Sequence, residues 1–359
     1  MKAVITLMAS TLLLAGCADP TLREASPQIS TGTLAQAKYV VAAPAKWNGY
    51  LLMLAHGYRP ADAPLSADFD VESRLCKGLL ADGWIIASSS YRRNGRIIRD
   101  AVADIDALRR HVASEFGQPK RTFVIGPSMG GAIGAMIAET RAPDYDGVVA
   151  IGAALTMHDE LNPYQLTHRP QMPVLFLTNQ SELAKPTAYV EQAAAAPDHP
   201  TVIWVVKRDG HCNVNSAETR AALDALVQCA RTGRLESNND ATVSLLELPS
   251  VAIHKDGRAY ATVTGISESF GNIYTQFVSA DLQRLGITPG SYFVVGKGDK
   301  AFKVQLGKTY SDVPRGQWVA FIAAEGTLKI ARNFENASKT LTCKPGDRIF
   351  IAKQQSQPR

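Results

Sequence analysis

The pentapeptide Gly126-Pro127-Ser128-Met129-Gly130 constrains this chain more than any other feature. It follows the apolar run Arg121-Thr122-Phe123-Val124-Ile125 and precedes Gly131-Ala132-Ile133-Gly134-Ala135-Met136-Ile137-Ala138, a helix-forming stretch of mostly small residues. G-x-S-x-G between an apolar strand and a helix describes a sharp turn that exposes the serine hydroxyl. So tight a turn brings strand and helix close together, and Gly126, Gly130, Gly131, Ala132 and Gly134 are small enough to allow it. A serine there becomes a nucleophile once a base takes its proton and backbone N–H groups receive the developing oxyanion. A glycine-rich turn with an incidental serine would show the same five letters, so partners elsewhere in the chain must decide.

From residue 29 to 233, apolar runs alternate with helical patterns. The runs are 37–42, 50–55, 84–89, 121–125, 147–151, 174–177 and 202–206. Ala101, Ile105, Leu108, Val112 and Phe116 mark one helical face, and Leu223, Leu226, Val227 and Ala230 another, with Asn215 placed to cap the latter. Near-continuous apolar strands separated by helices imply a doubly wound α/β fold, a mostly parallel sheet covered on both faces. The half resembles the α/β-hydrolases, whose function sits beyond the carboxyl ends of the strands. Four local matches carry the resemblance. Ser128 is the first. His211, in Asp209-Gly210-His211 directly after the last strand, stands where that family places its base. Glu182, followed four residues later by Pro186, stands where the family places its acid, with Asp159, Glu160 and Asp209 as substitutes. His56-Gly57-Tyr58 after an apolar strand implies an oxyanion hole built from the Tyr58 and Met129 amides, with His56 structural. The order Ser–Glu–His agrees with the fold. Only a short segment separates Ile151 from Val174, where the family often inserts a helical cap, so no large lid is expected.

The N-terminus has a different address. Lys2 precedes an apolar stretch, residues 3–15, too short to span a bilayer as a mature helix, ending in Leu14-Ala15-Gly16-Cys17. This resembles a bacterial lipobox. It implies a signal peptide over 1–16, lipidation of Cys17 and a polar tether over 17–28, with the protein held in the cell envelope, at the outer membrane of a diderm cell. The remaining Cys76, Cys212, Cys229 and Cys343 allow three disulfide pairings and contain no metal signature. No metal or cofactor is expected.

Beyond Gly233 the composition changes. A polar linker, 234–241, leads into a region, 242–353, of short strand-like runs with turn signals, and a tail, 354–359. The pattern reads as a small antiparallel all-β barrel or sandwich. Its motifs resemble the C-terminal barrel of the S-adenosylmethionine hydroxide adenosyltransferases and fluorinases. They are Glu268-Ser269-Phe270-Gly271-Asn272, Thr309-Tyr310-Ser311-Asp312-Val313, Gly326-Thr327-Leu328-Lys329-Ile330-Ala331-Arg332-Asn333 and Pro345-Gly346-Asp347. The resemblance implies nucleoside contacts from Phe270, Asn272, Arg332 and Asn333, and a homo-oligomer assembled through the barrel. Ala324 stands where that family has a serine contacting the amino-acid end, and the family's own catalytic domain is absent.

The net charge of +5 is interspersed, which argues against a nucleic-acid partner. The Arg92, Arg93, Arg96 and Arg99 cluster reads as a solvated loop. The leading reading is an envelope-anchored serine hydrolase acting on a small-molecule ester or acyl substrate. The alternatives are a ligand-binding lipoprotein with an adenosine-type barrel, and a hydrolase of an adenosyl compound.

Overall fold

The computed structural model describes residues 26–354 except 160, 196–197, 246 and 268–269. Cys17, Glu160 and Glu268 therefore lie outside the described residues.

The first half runs β1 (Gln28–Leu34), β2 (Ala37–Ala43), β3 (Tyr50–Leu54), α1 (Arg74–Ala81), β4 (Ile85–Ser89), α2 (Arg99–Phe116), β5 (Arg121–Pro127), α3 (Met129–Thr140), β6 (Gly147–Ile151), β7 (Val174–Asn179), α4 (Ala184–Ala193), β8 (Thr201–Val206) and α5 (Ser216–Thr232). The sheet order is β1-β2-β4-β3-β5-β6-β7-β8. All pairings from β4 to β8 are parallel, while β1, β2 and β4 pair antiparallel. This is the α/β-hydrolase arrangement. Alternate strand residues feed two cores. Met53, Val124, Val148 and Phe176 face one side with α2 and α3, and Leu52, Phe123, Val149 and Leu175 face the other with α1 and α5. Each such side chain, fully buried, contributes roughly 2 kcal/mol. Helix α5 starts on a capping box between Asn215 and Glu218 and stops at Gly233 in the left-handed conformation.

The arginine cluster differs from the expected solvated loop. Arg92 pairs with the buried Asp104 at 2.7 Å, and Arg93 pairs with Asp100 at 3.2 Å and the buried Asp159 at 2.6 Å. Buried carboxylates need such partners, so the loop is pinned to α2 and to the segment after β6.

The second half runs β9 (Ile253–Lys255), β10 (Arg258–Ile266), β11 (Ile273–Val278), α6 (Ser279–Arg284), β12 (Tyr292–Lys297), β13 (Lys300–Leu306), β14 (Trp318–Ile322), β15 (Thr327–Arg332), α7 (Ala337–Leu341) and β16 (Arg348–Lys353). The order β11-β15-β14-β13-β12-β16-β10 closes through β10–β11 pairing into a barrel around Val263, Phe277, Phe293, Ile330 and Ile351, and β9 extends β10. It is not wholly antiparallel. β13 and β14 run parallel, because the chain crosses the barrel end through a 3₁₀ turn at Tyr310–Asp312 before re-entering the sheet.

The two halves are joined by more than a tether. Asn238 N donates to Ile203 O (3.0 Å), Val205 N to Asn238 O and Ala241 N to Val205 O (both 2.8 Å), so the linker runs along the outer edge of β8. Glu325 of the barrel accepts from Ser216 N (2.7 Å) and Oγ (2.6 Å) at the start of α5, where the helix dipole favours a carboxylate. Cys76, Cys212, Cys229 and Cys343 are free thiols.

Candidate active site

Ser128 sits between β5 and α3 with φ 55° and ψ −116°, a backbone that a non-glycine residue holds only when its surroundings over-determine it. They do so here. A Cβ on Gly130 would lie 1.9 Å from Ala55 O, and one on Gly126 would lie 2.2 Å from Gly130 O. Glycine at these positions lets β3, β5 and α3 meet, and Ser128 N donates to Ile151 O at 2.8 Å.

His211 follows β8 and Glu182 follows β7. His211 Nε2 lies 2.9 Å from Ser128 Oγ, and Nδ1 hydrogen-bonds Glu182 Oε1. With Nδ1 donating to the carboxylate, Nε2 is free to accept the serine proton. The loops carrying these residues are zipped together. Asn179 Nδ2 donates to Asn213 O (2.9 Å), Asn213 N to Asn179 Oδ1 (2.8 Å), and Gly210 N to Ser181 Oγ (3.0 Å). The second carboxylate oxygen of Glu182 accepts from Cys212 N at 3.3 Å. This zipper sets the approach of a glutamate, one methylene longer than aspartate, to the ring.

The substitutes for the acid are committed elsewhere. Asp159 is paired with Arg93 and accepts from Leu161 N at 3.1 Å. Asp209 pairs with Lys308 at 3.0 Å and accepts from Gln180 Nε2 at 2.9 Å. Tyr58 lies four residues beyond β3, next to Gly57, whose added Cβ would lie 3.6 Å from Ser128 Cβ, and Met129 is the first residue of α3; neither backbone N–H has a hydrogen-bond partner among the described residues. His56 is stacked on Tyr91 with ring centroids 4.0 Å apart; burial, then Arg59, lowers it to about 4, so it stays neutral. His211 behaves oppositely. Cys212, whose Sγ lies 3.7 Å from Nε2, and then Glu182 hold its pKa above the usual value.

No sequence pattern pointed to the Cys212 contact, the 179–213 zipper or the barrel's share of the site. The last two join residues distant in the chain. Two cavities lie nearby, and of the two only the smaller is lined by a residue of the Ser128–His211–Glu182 row. One, of about 470 Å³, is lined by Ile98, Ala132, Leu155, Met157, Tyr164 and Leu166, one helical turn from Ser128. The other, of about 140 Å³, lies between the two domains against His211 and Cys212. The segment between β6 and β7 carries no helix among its described residues.

The residues matched to the nucleoside site are dispersed in role. Phe270 stacks toward Tyr58 with centroids 6.4 Å apart, joining the barrel to the His56-Gly57-Tyr58 turn. Asn272 Nδ2 donates to Tyr310 Oη at 3.3 Å, while its Oδ1 is buried without a partner. Arg332 donates to Gly316 O (2.8 Å) and Thr340 Oγ1 (3.0 Å), and Asn333 Nδ2 to Val313 O (2.8 Å), so both side chains brace the barrel itself.

Comparison with known families agrees with this two-part architecture. Residues 87–243 match the family model described as serine aminopeptidase, S33, and residues 263–350 match that of the SAM hydroxide adenosyltransferase C-terminal domain. The chain thus carries an α/β-hydrolase domain followed by an adenosyltransferase-type β-barrel. Among curated proteins it is similar to a fluorinase of Nocardia brasiliensis, 24% identical over 83% of this chain and 85% of the relative. Among solved structures it is similar to an uncharacterized conserved protein of Thermotoga maritima, 25% identical with a TM-score of 0.27 over 36% of this chain; it spans only 49% of that protein. It is also similar to a Pyrococcus furiosus esterase, 13% identical with a TM-score of 0.43 over 57% of this chain and 90% of that one.

Proposed function

We propose that the protein is a serine hydrolase cleaving carboxylic esters, held in the cell envelope through lipidated Cys17. The observation that carries the catalytic part is the continuous hydrogen-bonded row Ser128–His211–Glu182 beside the unpaired amides of Tyr58 and Met129. His211 Nε2 takes the Ser128 proton as Oγ attacks the acyl carbon. The two amides receive the oxyanion, each lowering the barrier by about 3 kcal/mol. Protonated His211 delivers its proton to the leaving oxygen, leaving an acyl-enzyme. Water activated by His211 then releases the acid and restores Ser128. Glu182 orients the ring and stabilises the imidazolium. We place the acyl group toward the 470 Å³ cavity lined by Ala132, one helical turn from Ser128.

An ester panel of graded acyl length, run on wild type and Ser128→Ala, tests this reading. Ser128→Ala is expected to lose about a thousandfold or more in kcat/KM and all labelling by a fluorophosphonate probe. Folded wild type that takes no label sinks it. The anchor is tested apart: Cys17→Ala is expected to move the protein from the membrane fraction to the soluble one. The unsatisfied Oδ1 of Asn272 beside Phe270 favours a second reading, nucleoside binding by the barrel, which calorimetry with adenosine tests.

A further inference from the structure

We infer that the barrel makes the leaving-group side of the serine site selective for substrates whose leaving group carries an anion, a carboxylate or phosphate, held by the ammonium of Lys329. The inference rests on the serine-hydrolase reading above. His211 must reach the leaving oxygen to protonate it, so the leaving group lies against His211. Beside His211 is the cavity of about 140 Å³ whose further walls come from the barrel, with Tyr274, Tyr310, Phe321 and Lys329 among them. That is roughly four or five water volumes, enough for a small leaving group. His211, Cys212, Tyr310 and Lys329 line this one cavity, and the Cys212 thiol is 3.7 Å from the His211 ring, so the lysine shares a small space with the reacting centre.

Lys329 is the uncommitted charge of this cavity. Its Nζ lies 5.1 Å from the Tyr274 ring centroid and 5.6 Å from that of Phe321, and it has no hydrogen bond or carboxylate partner among the described residues. The other charged side chains lining the cavity are engaged. Lys308 pairs with Asp209 at 3.0 Å, and Glu325 accepts from Ser216 N at 2.7 Å. Lys329 is half-buried, and an ammonium partly withdrawn from water without a counter-ion bears a cost that ring faces offset only in part. Burial lowers Lys329 to about 8, which leaves it mostly charged at neutral pH. An anionic group entering the cavity would complete the pair.

The test uses acetyl esters of glycolamide, glycolate and ethylene glycol monophosphate, which share an acyl group and differ in leaving-group charge. Wild type is expected to favour one or both anionic esters over the neutral one by at least about tenfold in kcat/KM, as a charge-assisted contact implies. The two anionic arms tell carboxylate from phosphate. Lys329→Met should abolish the preference while keeping hydrolysis of the glycolamide ester, and Lys329→Arg should restore part of it. Equal rates on all three esters overturn the inference, as does a preference unchanged in Lys329→Met. A purely structural lysine would lower stability in Lys329→Met without moving the preference, which also overturns it. Hydrolysis of no ester, with no fluorophosphonate label on Ser128, overturns the hydrolase reading and this inference together.

Discussion

In the proposed mechanism His211 must be neutral to accept the Ser128 proton, yet its neighbours favour the charged ring. Cys212 Sγ lies 3.7 Å from Nε2, and Glu182 holds Nδ1. Both raise its pKa, Cys212 more than Glu182. A raised pKa keeps the base protonated to higher pH, so kcat/KM should rise with pH through a limb lying above the ordinary histidine value of about 6.5. Cys212→Ala is expected to move that limb down while leaving the plateau rate within a few-fold, as a pH–rate profile on a neutral ester would read out. Glu182→Gln should also lower the limb, but with a loss of about 10⁴ in kcat, because the ring loses the carboxylate that fixes its tautomer and stabilises the imidazolium. Ser128, Glu182 and His211 were legible because each sits in a local pattern at a strand end. The Cys212 effect was not: its chain neighbour is plain in the sequence, but the side-chain direction depends on a backbone at φ 51°.

At the scale of elements, the segment between β6 and β7, with no helix among its described residues, is held by one buried carboxylate. Glu139 of α3 accepts from Tyr164 Oη (2.9 Å), Thr167 N (2.7 Å), His168 N (2.8 Å) and Tyr189 Oη (2.8 Å). Glu139→Ala strips all these donors of their acceptor and is expected to cost about 3 kcal/mol or more in urea denaturation. Because Tyr164 also lines the 470 Å³ cavity, KM for longer acyl esters should rise more than KM for acetyl esters. The parallel strands were readable from their apolar runs, since burial on both faces removes polar alternation. Strand β1 was not. Its sequence is polar, and its turn into β2 uses Ala35 and Gln36 at φ 44° and 76°, without the glycine or asparagine that would announce it. The parallel β13–β14 pair was equally hidden, because direction depends on where the connection crosses the barrel.

At the scale of the whole molecule, the barrel is a wall of the serine site as well as a second domain. Its docking relies on Glu325 at the start of α5 and on the linker along β8. Glu325→Ala is expected to weaken docking by about 1–2 kcal/mol. Limited proteolysis should then cut residues 234–241 faster than in wild type, with both halves still folded by circular dichroism. The α/β-hydrolase half, the barrel after it and the residues at the strand ends follow from the sequence alone, because each rests on local periodicity or a tight turn that only certain residue types permit. What tertiary structure decided is how the halves meet: which carboxylate faces His211, which loops are zipped, and that Lys329 of the barrel stands beside the serine site. Those outcomes depend on contacts between residues far apart in the chain, and no local pattern encodes the distance between them.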